Sequence, residues 1–92
     1  MTNEQIIKAF LNGQSYQKSY KALSTNGNEL YSYSLKIAEH HSEGYVVYDY
    51  TAGGGHSVSQ TTSTHVGLVK RMAPSWSTEI MRPDAAKVAG LV

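Results

Sequence analysis

Leu30-Tyr31-Ser32-Tyr33-Ser34-Leu35-Lys36-Ile37 is the stretch whose reading decides the fold. Tyr31, Tyr33, Leu35 and Ile37 alternate with Ser32, Ser34 and Lys36. Side chains in a strand repeat every two residues, so the pattern predicts one half-buried strand whose four large residues face the core. Tyr45-Val46-Val47-Tyr48-Asp49-Tyr50 follows as a run of strand formers, apolar on both faces except at Asp49, and predicts a central strand. His56-Ser57-Val58-Ser59-Gln60 offers one core residue, Val58, and predicts a short or edge strand.

Outward from this stretch the signals are turns and caps. On the N-terminal side, Asn26-Gly27 is a strong hairpin signal, because both residues tolerate positive φ. It predicts a strand over residues 18–24 feeding the stretch above. Residues 2–12 read as a helix, with Thr2 and Gln5 spaced as a capping box and Ile6, Ile7, Phe10 and Leu11 as its apolar stripe. Gly13 is placed to end it. On the C-terminal side, His40-His41-Ser42-Glu43-Gly44 reads as a turn and Ala52-Gly53-Gly54-Gly55 as a connection. Thr62 or Ser63 caps a second helix with Val66, Val69 and Met72 on its apolar face, Lys70 and Arg71 in its last turn, and Pro74 beyond its end.

The expected fold class is α+β: an N-terminal helix, an antiparallel meander of three or four strands, a second helix and an irregular C-terminal tail. Both helices are expected on the face made by Tyr31, Tyr33, Leu35 and Ile37. The 92 residues form a single domain, residues 1–92, with a core over about 3–73 and a tail over 74–92. In the tail, Trp76, the only tryptophan, is expected to dock on the sheet, and Asp84 to cap a short final helix.

Composition narrows the function classes. The chain has no cysteine, so disulfides and thiolate metal sites are excluded. No apolar run reaches the length of a membrane span, and the N-terminus lacks the pattern of a signal peptide, so a cytoplasmic setting is expected. The formal net charge is only +1, yet no acid stands between Glu4 and Glu29, or between Asp49 and Glu79. Lys18 and Lys21 lie in the first gap, beside Tyr16 and Tyr20, and Lys70 and Arg71 lie in the second. If the two gaps adjoin, they make a mildly basic face, and these six residues are the candidate partner-binding set.

No arrangement of residues points to catalysis. Ser, His and Asp are present without a nucleophile motif. The histidines at 40, 41, 56 and 65 lack metal-ligand spacing and are expected to be exposed turn residues. Gly53-Gly54-Gly55-His56 leads toward a strand and not a helix, unlike a phosphate loop, and the amides near Thr62 and Ser63 are the better anion site. Tyr45 differs in parity from Tyr48 and Tyr50, so some of the seven tyrosines face away from the core, where rings suit a partner or a base. No cofactor, no metal, no small-molecule substrate and no catalytic residue are expected.

Leu30-Tyr31-Ser32-Tyr33, Ile37-Ala38, Tyr45-Val46-Val47-Tyr48-Asp49-Tyr50 and Ser59-Gln60-Thr61-Thr62-Ser63-Thr64-His65 together resemble small phage-encoded proteins in which a Leu-Tyr-Ser-Tyr strand precedes a Ser-x-Thr-Thr-x-x-His helix start. The resemblance spans roughly residues 10–72. In size and in lacking catalytic motifs the chain is similar to anti-CRISPR proteins, for example those of type I-F systems. That family is defined by activity, so no site residues carry over. The resemblance implies a monomeric, non-enzymatic inhibitor acting in the host cytoplasm. Its partners would be host CRISPR-Cas effector subunits, with or without the crRNA, and it would block target DNA binding. The alternatives are a small phage nucleic-acid-binding or regulatory accessory protein, and a virion component. The charge balance is not that of an acidic DNA mimic, so contact with a subunit or with guide RNA is expected.

Overall fold

The computed structural model describes residues 2–17, 22–41, 44–50 and 60–82. Its first helix, α1 (Asn3–Leu11), forms where the capping pattern places it. Thr2 Oγ1 accepts from the Gln5 N–H at 3.2 Å, and Gln5 Oε1 accepts from the Thr2 N–H at 2.8 Å. Those two bonds satisfy donors that helix geometry leaves orphaned. At the other end Gly13 takes φ +73°. Its N–H donates to the Phe10 carbonyl at 3.0 Å and the Gln14 N–H to the Ala9 carbonyl at 2.8 Å, which is the paired bonding of a Schellman ending.

Six strands follow in chain order across one sheet: β1 (Ser15–Tyr16), β2 (Leu23–Asn26), β3 (Glu29–Ser32), β4 (Leu35–His41), β5 (Gly44–Tyr48) and β6 (Thr78–Met81). The first five are antiparallel neighbours, and β6 pairs parallel to β5. A parallel neighbour needs a crossover, supplied here by the connection containing α2 (Gln60–Met72). The fold is thus α+β, as expected, but the sheet is wider than a meander of three or four strands and does contain a crossover. Residues 78–81, expected to be irregular, form its last strand. The proposed strand over 57–60 falls largely outside the described residues, as do the Gly53–Gly55 connection and the Asp84 cap, while Gln60 begins α2. Thr62 and Ser63 are therefore inside α2 and are not its caps.

The Asn26-Gly27 signal holds. Asn26 Oδ1 accepts from the Asn28 and Glu29 N–H groups at 2.9 and 2.7 Å, and Thr25 Oγ1 accepts from the Gly27 N–H at 3.0 Å. The single long strand over 30–37 does not hold. A two-residue turn, Tyr33-Ser34, divides it into β3 and β4, with Ser32 opposite Leu35. Tyr33 sits at φ +57° and its N–H donates to the Ala22 carbonyl at 2.6 Å. Because Ser32 and Leu35 face each other, odd-numbered residues before the turn and after it point to opposite sides of the sheet. Leu30, Leu35 and Ile37 face the helices, whereas Tyr31 is half-buried on the other face beside Lys36, and Tyr33 is 62% exposed. A bulge at Leu30/Tyr31 lets the consecutive residues Ile37 and Ala38 both enter the core.

That core joins Ile6, Ile7 and Phe10 of α1, Val66 and Val69 of α2, and Leu23, Leu30, Ile37, Ala38 and Val47 of the sheet. Val46 and Tyr48 form a second, smaller buried cluster with Tyr50 and Met81.

Candidate binding cleft

The end of α1 shows how thoroughly one side of the molecule satisfies its polar groups. His40 and Tyr45 are cross-strand partners of β4 and β5. His40 Nε2 donates to the Phe10 carbonyl at 2.6 Å, and the Tyr45 hydroxyl donates to the Leu11 carbonyl at 2.7 Å. A carbonyl only accepts, so Nε2 of His40 carries a proton. The rings of Phe10, His40 and Tyr45 meet edge-on or tilted, with centroids 4.9 to 5.9 Å apart. His40 is thus a half-buried strand residue that caps a helix terminus, not an exposed turn histidine.

His65 departs from that expectation further. It is 3% exposed, and its Nδ1 lies 2.8 Å from Ser32 Oγ, which in turn lies 3.0 Å from Thr62 Oγ1. Burial pulls the imidazole below its ordinary pKa and keeps it neutral. A serine hydroxyl on a neutral histidine has the geometry of a nucleophile and its base. Here the third member is the hydroxyl of Thr62 and not a carboxylate, and all three side chains are closed off from solvent. The group fastens the first turn of α2 to β3. The Thr62 hydroxyl is engaged with Ser32 in that network.

On the opposite face of the sheet, Lys36 Nζ bridges Glu29 at 3.3 Å and Glu39 at 3.0 Å. The Tyr31 hydroxyl donates to Glu29 at 2.9 Å and the Tyr48 hydroxyl to Glu39 at 2.6 Å. The Tyr31 hydroxyl and the Asn26 amide hold the Glu29 carboxyl below the usual carboxylate range. Burial, and then the Glu39 carboxylate, push the Tyr48 phenol well up. Burial pulls Lys36 down, but hydrogen bonds to Glu39 and Glu29 more than reverse this and leave it raised. These charges are spent on one another.

A second region is an open cleft among the described residues. A cleft of about 460 Å³ opens where the ends of β4, β5 and β6 meet, walled by His41, Tyr45, Val46, Trp76, Thr78 and Glu79 among others. Trp76 sits on a single 3-10 turn, Ser75–Ser77, between α2 and β6. The Pro74 carbonyl accepts from the Ser77 N–H at 3.1 Å and from the Thr78 hydroxyl at 2.7 Å, so the turn is pinned at its base. Gly44 makes the close approach possible. A Cβ there would lie 2.1 Å from the Ser77 carbonyl oxygen. Trp76 is 88% exposed, which overturns its expected docking on the sheet.

The expected partner-binding set is only partly described. Tyr16, in β1, is half-buried against the core. Lys70 and Arg71 lie exposed in the last turn of α2. Lys18, Tyr20 and Lys21 lie outside the described residues. Lys70 is not in acid-free surroundings, because Asp49 Oδ1 lies 3.5 Å from its ammonium. A gap in sequence is not a gap in space. The sequence singled out Trp76 as a lone indole after a proline, and that was the one available signal for the cleft. The roles of His40 and His65 depend on cross-strand register and helix face, which no local motif encodes.

Among the described residues, no helix is long and apolar enough to cross a membrane, and no group of three or more His, Asp or Glu is placed to hold a metal ion. No protein-family model, no curated protein and no solved structure matches the chain.

Proposed function

We propose that the protein is a phage-encoded, non-enzymatic inhibitor that binds a host CRISPR-Cas ribonucleoprotein and blocks target DNA binding, with the Trp76 cleft as its main contact to a protein subunit. One observation carries the binding reading: the only tryptophan is 88% exposed, yet rests on a turn held by two hydrogen bonds and continuous with a strand of the sheet. An exposed indole costs solubility, and interfaces concentrate their energy in such rings. A pre-set turn also reduces the ordering cost on association. Among the described residues, the Lys36 and His65 clusters bond internally and leave little for a partner to engage. As a second, charged contact that extends to the crRNA, the reading keeps Lys70 and Arg71 at the end of α2 and Tyr16 in β1, together with Lys18, Tyr20 and Lys21, which lie outside the described residues. The partner identity follows from the phage-protein resemblance.

The test is target-DNA binding by a purified type I-F effector complex, titrated with the wild-type chain, with Trp76→Ala, and with a variant carrying Lys18, Lys21, Lys70 and Arg71 all changed to Glu. Loss of a hot-spot aromatic weakens inhibition by about 30-fold or more. If the charged set contacts crRNA phosphates, inhibition by the wild type weakens with salt and the Glu variant loses that dependence. A wild-type chain that does not bind the complex refutes the partner. Full inhibition by Trp76→Ala refutes the cleft as the main contact.

A further inference from the structure

We infer that the Trp76 cleft receives an arginine side chain presented by the partner protein. The inference rests on the reading of the cleft as a binding contact and assigns the chemistry of what enters it. Among the described residues the cleft is lined by an exposed indole and by one acidic residue, Glu79, while the Tyr45 ring is engaged with Phe10 and His40. Glu79 is exposed on β6. The carboxylates of Glu29 and Glu39 hold Lys36, and Asp49 holds Lys70, but Glu79 has no ion-pair or hydrogen-bond partner among the described residues. An aromatic face attracts a cation, and a carboxylate beside it supplies the countercharge. Arginine suits this pair better than lysine, because its planar guanidinium stacks on an indole while its N–H fork engages a carboxylate. The same carboxylate repels phosphate, which disfavours a nucleic-acid base stacked on Trp76 with its backbone alongside. Protein surfaces that hold nucleic acid are rich in arginine. A cleft of this chemistry would therefore engage a subunit at the residues it uses for phosphates.

Trp76 is the only tryptophan, so its emission reports directly on the cleft. The full chain is titrated separately with blocked tetra-arginine, tetra-lysine and tetra-glutamate peptides and with an oligothymidylate, following indole emission. Tetra-arginine should produce a saturable change, with weaker binding by tetra-lysine and none by tetra-glutamate. Glu79→Gln should weaken tetra-arginine binding by about five-fold or more. Glu4→Gln removes the same charge from the first turn of α1, outside the cleft, and should leave binding unchanged. Equal losses in the two variants would mean unspecific attraction and would overturn the inference. No response to tetra-arginine, or a tighter response to oligothymidylate, would overturn it as well. These measurements use the isolated chain, so they can fail while Trp76→Ala still abolishes inhibition of the effector. In that case the cleft would remain the contact, with a different occupant.

Discussion

Phe10 and Trp76 are aromatic residues at two regions of the same fold, and they end in opposite states. Phe10, at the close of α1, is wholly buried, ringed by His40 and Tyr45, and its carbonyl accepts from both Gly13 and His40. Trp76, at the start of the segment that becomes β6, is 88% exposed on the rim of a cleft. The first region is assembled from neighbours in sequence, with β2 to β5 joined directly and α1 packed on them. The second exists only because α2 carries the chain back to lay β6 parallel to β5. The difference suggests a division of labour. The meander, α1 and the buried face of α2 hold the core, and the turn after α2 places an aromatic side chain where the core does not need it.

The sharpest way to break that comparison is to truncate both rings. Phe10→Ala removes a fully buried side chain and should cost about 3–5 kcal/mol of stability. Trp76→Ala should change stability by no more than about 0.5 kcal/mol, as other exposed substitutions do. Urea denaturation of the two variants measures both values. Comparable losses would show that Trp76 is structural and would remove the observation on which the proposed function rests.

Gly44 joins the two regions. Its missing side chain lets β5 approach the Ser77 carbonyl, and an added methyl would meet that backbone oxygen at 2.1 Å. Gly44→Ala must push the Ser75–Ser77 turn away and should cost about 1–3 kcal/mol, the usual range for overpacking. The strain falls on the start of β5 and on the turn that faces it. Hydrogen exchange should therefore quicken in residues 75–81 while the amides of α1 and β2 to β4 stay protected, and uniform quickening would mean that the two regions are one cooperative unit.

The Ser32, Thr62 and His65 network is where α2 is fastened to the meander, and it makes that attachment sensitive to pH. Burial lowers the His65 pKa in the folded state from its reference value of 6.5. The unfolded chain therefore takes up a proton first as pH falls. The neutral ring's contribution is present in full above pH 6.5 and is lost as pH drops through the folded-state value. Stability measured from pH 7.5 downward, with other conditions fixed, should decline more steeply for the wild type than for His65→Leu. Ser32→Ala should cost about 1–3 kcal/mol at neutral pH, because Thr62 and His65 lose a buried partner. Identical acid profiles for wild type and His65→Leu would show that this histidine does not sense pH.

How much of this was legible depended on how local the cause was. The capping box at Thr2, the Gly13 ending and the Asn26-Gly27 hairpin each rest on a few consecutive residues, and each formed where the sequence placed it. Tyr33-Ser34 lacks the Asn-Gly type of signal, and with a small polar Ser32 on the core side and a large Tyr31 on the other face the parity shift at the turn left no mark on the alternation, so the division of the long strand was invisible. β6 could not be read because a parallel edge strand depends on where the crossover returns. Its four residues, Thr78 to Met81, show no alternation that would call attention to them. The cleft was legible only as the oddity of a single tryptophan. The Lys70 and Asp49 pair shows why charge counted along the chain misjudged charge in space.

The smallest expected effect concerns the turn the sequence concealed. Tyr33 holds φ +57°, in the left-handed region where a Cβ crowds the backbone and where Gly and Asn are the usual occupants. At 62% exposure its ring contributes little burial in return. Its N–H bond to the Ala22 carbonyl comes from the backbone and survives substitution. Tyr33→Asn keeps that bond, relieves the backbone and supplies a residue suited to two-residue hairpins. It should raise stability by about 0.5–1 kcal/mol, in the range of other substitutions that fit a residue to its local backbone. Because the turn belongs to the meander region, inhibition of the effector and the response of Trp76 to tetra-arginine should be unchanged. A loss of stability would mean that the Tyr33 ring packs usefully despite its exposure. A loss of binding with stability intact would place Tyr33 in the interface, beyond both the cleft and the charged set.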